Sequence, residues 1–298
     1  MKVFVRVAER GSFAAAAADL GLSHGMASAV VKDIEARLGV ELIRRTTRRM
    51  ALTAEGLDYL GRARRILDEV EDLDNAFAPG RGVRGRLTVQ APVAFSRLVL
   101  APSLGPLLSA HPELGISLVS RDYLPDMIAE NIDVLLYVGP LPDSALSVRS
   151  LGRFPLIAAA APAYLAARGM PATPDDLAGH DLIDVISATS GRPLPWQFME
   201  NGRTVLRPAK ARLAFEASEA AVAAALAGAG IVQNISYVLA GHLAEGRLVQ
   251  VLGAFRDPGS ELQLVTRRHA VPPARVRVFA DHVRRLARGL RDAVPPPA

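Results

Sequence analysis

Three short helical segments with sharp punctuation occupy the first forty residues, and their spacing limits the possible fold more than any other feature. The first covers Lys2 to Glu9 and ends at Gly11. Ser12 is a good N-cap for a second, Phe13 to Leu20, whose alanine run allows close helix packing. Gly21 supplies a left-handed stop, and Ser23 caps a third helix reaching about Leu38. A turn of three or four residues containing glycine therefore joins the second and third helices, which is the helix-turn-helix signature. In the third helix Ala27, Val31, Ile34 and Leu38 recur at helical spacing and form one stripe to be buried. His24, Gly25, Ser28, Ala29 and Lys32 face the other way.

After Gly39 the pattern predicts a short hairpin, or wing, built on Leu42-Ile43 and Met50-Ala51-Leu52. Its tip is Arg44-Arg45-Thr46-Thr47-Arg48-Arg49. Thr53 then caps a long helix to about Phe77. Leu60, Ala63, Leu67, Val70 and Phe77 keep three- and four-residue spacing along it, with Leu57, Ile66 and Leu73 alongside. A single long amphipathic helix with no partner of similar length predicts pairing with a second copy, through Leu57, Leu60, Leu67, Val70 and Phe77.

Pro79 to Gly85 reads as a linker. Beyond it the texture changes to short β-runs alternating with helices. The runs are Leu87–Ala91, Gly115–Ser120, Ile132–Val138, Leu156–Ala161, Arg212–Phe215, Ile231–Ile235, Leu248–Leu252 and Leu262–Thr266. Helical stretches fall at Ser96–Ala110, Glu216–Ala227 and Pro273–Leu290, and the Pro295-Pro296-Pro297 tail reads as disordered. Such alternation predicts mostly parallel α/β sheets.

Bulk charge is weak evidence for a partner. The net charge is +5, yet residues 1–78 hold twelve Lys/Arg against twelve Asp/Glu, so the excess lies entirely downstream. Local clustering says more: from Lys32 to Arg49 basic residues outnumber acidic ones six to three. Phosphate contacts need such a patch rather than a basic average. The chain has no cysteine, which excludes disulfides, thiolate metal sites and a cysteine nucleophile. The six histidines lack ligand spacing, and no Gly-x-Ser-x-Gly or phosphate-loop pattern occurs. Apolar runs such as Leu156 to Ala163 are shorter than the roughly 20 residues a membrane helix needs, and no signal peptide is evident. A cytoplasmic protein with no cofactor, no metal, no membrane association and no enzymatic activity is expected.

The N-terminal segment resembles the LysR-type transcriptional regulators. Phe4-Val5-Arg6-Val7, Gly11-Ser12-Phe13 with Ala15-Ala16, and Leu20-Gly21-Leu22-Ser23 carry the likeness. Ser28, Ile34-Glu35, Leu38-Gly39-Val40, Arg45-Thr46-Thr47-Arg48 and Leu52-Thr53-Ala54-Glu55-Gly56 complete it. Downstream, Gly85-Arg86-Leu87 through Ala91-Pro92, His111-Pro112, Ile132-Asp133-Val134, Ala161-Pro162-Ala163-Tyr164-Leu165 and Gly228-Ala229-Gly230-Ile231 look like the family's effector domain.

The resemblance implies a winged helix-turn-helix over 1–53, a dimerisation helix over 54–78, a linker over 79–86 and an α/β effector domain over 87–298. That domain would resemble type 2 periplasmic binding proteins, with lobe I at about 87–160 and 265–290 and lobe II at about 161–264. It also implies double-stranded DNA, a small-molecule effector (a carboxylate being one candidate) and a homodimer or homotetramer as partners. The chain departs from the family in carrying Gly25, Ala29 and Val30 early in the third helix, and Tyr137 where an arginine is frequent.

The third helix suits a major groove about 12 Å wide, so His24, Gly25, Ser28, Ala29 and Lys32 are either base and phosphate contacts or a solvated surface. Arg44, Arg45, Thr46, Thr47, Arg48 and Arg49 suit phosphates or a narrow minor groove. In the effector domain the loop carrying Phe95, Ser96 and Arg97 enters a helix, where free N–H groups suit a carboxylate. Tyr137, Phe215, Glu216, Ser218, Gln233 and Asn234 are the other candidate ligand contacts, while Ser96 and Ser218 serve equally well as plain N-caps. Trp196 reads as a core residue or a cleft wall. The rival reading is a solute-binding protein or enzyme of the same α/β fold with a purely dimerising helical domain.

Overall fold

The computed structural model describes residues 1–45, 50–76, 82–142, 146–208, 211–268 and 271–292. The chain forms two compact units, Met1–Gly85 with Asp126–Asn131, and Arg86–Pro125 with Ile132–Ala298.

In the first unit, α1 (Lys2–Arg10), α2 (Phe13–Leu20) and α3 (His24–Leu38) precede the hairpin strands β1 (Ile43–Arg45) and β2 (Met50–Leu52). The long α4 (Ala54–Ala76) follows. The caps are local and sit where the residues demand. Ser12 Oγ accepts the Ala15 N–H, Ser23 Oγ accepts the Met26 N–H, and Gly21 takes φ 65°, a left-handed turn that only glycine adopts without strain. Phe4, Val7, Phe13, Ala16, Ala27, Val31 and Ile34 form the core, and Leu60 and Ala63 of α4 complete it. The Phe4 and Tyr59 rings meet edge to face at 5.1 Å, tying α1 to α4. Leu38 does not join this core. It follows the last helical turn facing the core and is 43% exposed.

The second unit holds two five-stranded sheets. The first contains β3 (Arg84–Ala91), β4 (Glu113–Ser120), β5 (Val134–Val138), β6 (Leu146–Phe154) and β14 (Ser260–Arg267), ordered β4-β3-β5-β14-β6. The second contains β7 (Leu156–Ala160), β8 (Leu182–Val185), β11 (Leu213–Phe215), β12 (Ile231–Ile235) and β13 (Val249–Val251), ordered β11-β8-β12-β7-β13. Between β8 and β11 a separate hairpin pairs β9 (Trp196–Glu200) with β10 (Arg203–Arg207).

Helices cover the sheets. Val93–Ala110 runs as α5 (Val93–Phe95), a π-helical turn (Ser96–Leu100) and α6 (Ala101–Ala110). Then come α7 (Pro162–Arg168), α8 (Ser218–Leu226), α9 (Ser236–Ala244) and α10 (Ala274–Asp292). By length and composition alone, Val93–Ala110 is apolar enough to cross a membrane. Here Phe95, Val99, Leu100 and Leu107 are buried within the effector unit.

The expectation of mostly parallel sheets is corrected. β3–β5, β8–β11 and β8–β12 are parallel, but β14 runs antiparallel to β5 and β6, and β7 antiparallel to β12 and β13. The lobe boundaries move as well. β7 belongs to the second sheet, so the chain crosses at Pro155 rather than near residue 160, and β14 returns it to the first sheet from Ser260. Leu156 N donates to the Asp257 carbonyl at 3.1 Å, which joins the two crossings, and Ser236 N at the start of α9 donates to the Pro155 carbonyl at 2.8 Å.

Candidate DNA-binding face and effector cleft

α3 buries one face and leaves the other to solvent. Ala27, Val31 and Ile34 are buried, whereas His24, Gly25, Ala29 and Lys32 are exposed and Ser28 is half-buried. The His24 ring stands edge-on to Phe13 at 6.1 Å, which steadies it at the helix start. Glu35 is a positioning residue that sequence reasoning missed. Its Oε1 accepts the Leu42 N–H at 2.8 Å and the Ile43 N–H at 3.0 Å, fastening the root of the wing to α3. Thr53 fastens the same root to α4. It donates to the Glu41 carbonyl at 2.7 Å and accepts the Gly56 N–H at 2.9 Å.

Arg44 is exposed at the start of the wing, 3.8 Å from Glu41, and Arg45 pairs with Met50 in the hairpin ladder. Thr46, Thr47, Arg48 and Arg49 lie outside the described residues, as do Phe77 and the Pro295–Pro297 tail. On the back of the unit, the Arg10 guanidinium grips Asp19 with two 2.7 Å bonds. Those hydrogen bonds, with charge from Arg10 and Arg6 added, hold the Asp19 carboxyl below the usual range.

In the effector unit the loop after β3 meets α9 across the two lobes. Phe95 is fully buried and packs edge to face on Tyr237 at 5.4 Å, and Tyr237 packs likewise on Phe154 at 5.5 Å. Two residues on from Phe95, Arg97 on the first lobe pairs with Glu219 of α8, on the second, at 2.7 Å. The Val93 N–H donates to Asp122 at 3.1 Å, and Ser96 Oγ donates to the Ala91 carbonyl at 3.3 Å. Burial raises the Asp122 carboxyl; the Val93 bond opposes that, and repulsion from Glu216 adds to it. Burial also raises the Tyr237 phenol, and the negative charges of Asp122 and Glu219 push it further. Asp122 thus feels the charge of Glu216, and Tyr237 that of Asp122 and Glu219.

Comparison with known proteins agrees at both ends of the chain. Residues 1–57 match the bacterial regulatory helix-turn-helix of the lysR family, and residues 80–288 match the LysR substrate binding domain. This chain belongs to the LysR family of transcriptional regulators. The LysR regulator is 32% identical over 287 residues to the HTH-type transcriptional regulator CrgA of Neisseria meningitidis, covering 94% of both chains. It is 32% identical over 285 residues to PtxR of Pseudomonas aeruginosa, covering 94% of this chain and 90% of that one. The solved structure of CrgA superposes with a TM-score of 0.63 at 30% identity, over 96% of this chain and 97% of that one. The full-length virulence activator AphB of Vibrio cholerae gives 0.60 at 25% identity, over 94% and 96%.

Several candidate residues of the LysR regulator have hydrogen-bond partners within the fold. Gln233 exchanges hydrogen bonds with the Gln197 backbone, at 2.9 and 2.8 Å, and so holds the β9–β10 hairpin beside β12. Asn234 is structural too: its Nδ2 donates to the Ser218 carbonyl at 3.3 Å and its Oδ1 accepts the Ile235 N–H. Ser218 starts α8 without a side-chain capping bond. Glu216 is exposed and Phe215 half-buried at the end of β11, and Tyr137 lies near the end of β5 with its ring against Gly139. Trp196 is core, its Nε1 donating to Asp184 at 3.0 Å.

In α4, Leu60 turns into the regulator's own core and Leu67 packs at its edge, which corrects their placing on a partner-facing stripe. Ile66, Val70 and Leu73 are exposed instead. Leu57 is exposed as well but lies two and a half turns before Ile66, on the opposite side of the helix.

Proposed function

We propose that the regulator works in the cytoplasm as a homodimer or homotetramer gripping two half-sites of double-stranded DNA, one or more helical turns apart. α3 enters the major groove, where Lys32, Ser28 and His24 reach bases or phosphates, and the arginines of the wing hold the backbone. The observation carrying this reading is the division of α3 into a buried apolar face and an exposed face that carries His24, Gly25, Ala29 and Lys32 beside Met26 and Val30, at a capped helix start. A small Gly25 and Ala29 let the helix approach the groove floor closely. Copies pair through α4, where Ile66, Val70 and Leu73 form an exposed apolar stripe.

A small molecule binds over the Phe95–Tyr237 floor between the lobes and shifts their relative orientation, and the DNA-binding heads respond. It acts only through its different affinity for the two arrangements. Gel-shift titration with the DNA upstream of the regulator's own gene, with and without candidate metabolites, tests the reading. A shift that changes with an added metabolite supports it. Absence of any DNA binding beyond that of an unrelated duplex would overturn it.

A further inference from the structure

The loop after β3 was expected to offer free N–H groups to a carboxylate, but the chain fills that position itself. Asp122 already accepts the Val93 N–H, and the Ser96 hydroxyl is spent on the Ala91 carbonyl. The donor left at this mouth, Arg97, is held by Glu219.

Unmet acceptors remain instead. Gln90 is wholly buried at the carboxyl end of β3. Its Nε2 donates to the carbonyl of Tyr123, next to Asp122, while its Oε1 has no hydrogen-bond partner among the described residues. Glu219 Oε1 is shielded from solvent and lies off the Arg97 N–H direction, so it is ion-paired without being hydrogen-bonded. Ser236 Oγ, beside Tyr237, is buried without a partner among the described residues. Glu219 is paired with Arg97, and Asp122 lies within electrostatic reach of Glu216, so the mouth carries several acidic groups. Buried acceptors left unpaired are costly, and a ligand that supplies the missing donors recovers that cost.

We propose that the interlobe cleft binds an organic cation rich in N–H donors, an amine or guanidine, which takes over Glu219 from Arg97, bonds Asp122 and supplies the donor that the buried Gln90 Oε1 lacks. This rests on the reading of the cleft as the effector site. Releasing Arg97 from Glu219 would cut the ion pair that joins the lobes, which gives binding a direct effect on their arrangement.

Isothermal titration of the full-length protein without DNA tests the proposal, using agmatine and putrescine against succinate and benzoate. Binding of agmatine or putrescine, weakened at least tenfold by Glu219→Gln and by Asp122→Asn, supports it. Cation binding that both variants leave unchanged overturns it, as does silence from both cations. Binding of succinate or benzoate that is lost in Arg97→Ala overturns the cation class but keeps the cleft as effector site. Gel shifts on the same preparations report the DNA-binding reading independently of either outcome.

Discussion

Gly259 and Phe154 pass so closely that a β-carbon on Gly259 would lie 1.8 Å from the Phe154 carbonyl oxygen. They sit at the two chain crossings between the lobes, and Asp257 braces the same place by accepting the Gly259 N–H and the Thr204 hydroxyl at 2.7 and 2.6 Å. Gly259 also has φ 74°, where a side chain is strained. Gly259→Ala must therefore push the crossings apart. Overpacking costs about 1–3 kcal/mol, and 1 kcal/mol moves the melting point of a domain this size by roughly 2–4 °C. Calorimetry should find the effector domain melting several degrees lower; an unaltered Tm would contradict the close approach.

Glu35 links α3 to the wing by accepting two backbone N–H groups, those of Leu42 and Ile43. Glu35→Ala leaves both unpaired in a partly buried position, at a cost of about 1–3 kcal/mol. Glu35→Gln keeps an acceptor oxygen and should retain most of the stability. The expected result is weaker operator binding and a lower Tm for the alanine variant, with the glutamine variant close to the parent in both. Equal behaviour of the two variants would remove the positioning role.

Lys32 is exposed on α3 and Arg44 at the start of the wing. If each neutralises one phosphate, removing it reduces the slope of log K against log salt by about 0.9. Binding measured between low and moderate salt should show Lys32→Ala and Arg44→Ala with shallower slopes than the parent. Weakening with an unchanged slope would instead make the contact a base contact or a structural one.

The helix-turn-helix was legible because its signals are local. Ser12, Gly21 and Ser23 each act within a few residues, and the stripe Ala27-Val31-Ile34 needs only helical periodicity. What the sequence hid depends on distant partners. β6 was missed because Leu146–Phe154 is a half-exposed edge strand interrupted by Arg149, Ser150 and Gly152, without the apolar run that marks β5. The antiparallel return of β14 to β5 joins residues more than a hundred positions apart, which a βαβ texture cannot record. The loop at Phe95 was found, but its occupation by Asp122 was not, since the two lie on different strand ends. The bonds of Gln233 to the Gln197 backbone were hidden for a related reason: nothing local says which neighbour a strand side chain will face.

α4 offers a clean test of assembly. Leu60 and Ala63 are committed to the core, so a partner must use the stripe of Ile66, Val70 and Leu73, which share one side of the helix. Each buried side chain of this kind contributes about 1.5–3 kcal/mol when it leaves water. Val70→Glu with Leu73→Glu places two carboxylates in that contact. Analytical ultracentrifugation should show the double variant dissociating to monomer at concentrations where the parent is associated, with its far-ultraviolet circular dichroism retained. Leu57→Glu, on the opposite side, should leave association intact, and the reverse ranking would relocate the interface.

Asp122 is where stability and ligand recognition pull apart. Its carboxyl is raised above the ordinary 3.8, so the folded chain holds that proton more tightly than the unfolded chain does. At neutral pH the ionised group is therefore a net cost to the fold. That cost fades as pH falls through the raised value and is gone below the unfolded one. Asp126 and Asp176, lowered by backbone N–H bonds, run the other way, and their stabilisation is lost on acidification. Parent and variant share those two groups, so they cancel in a difference. Asp122→Asn keeps an oxygen for the Val93 N–H and carries no charge. It should melt above the parent at pH 7.5, with the gap closing as pH is lowered toward 4. A gap that widened on acidification would reverse the sign of the shift, and with it the view that this carboxylate is kept for a ligand rather than for the fold.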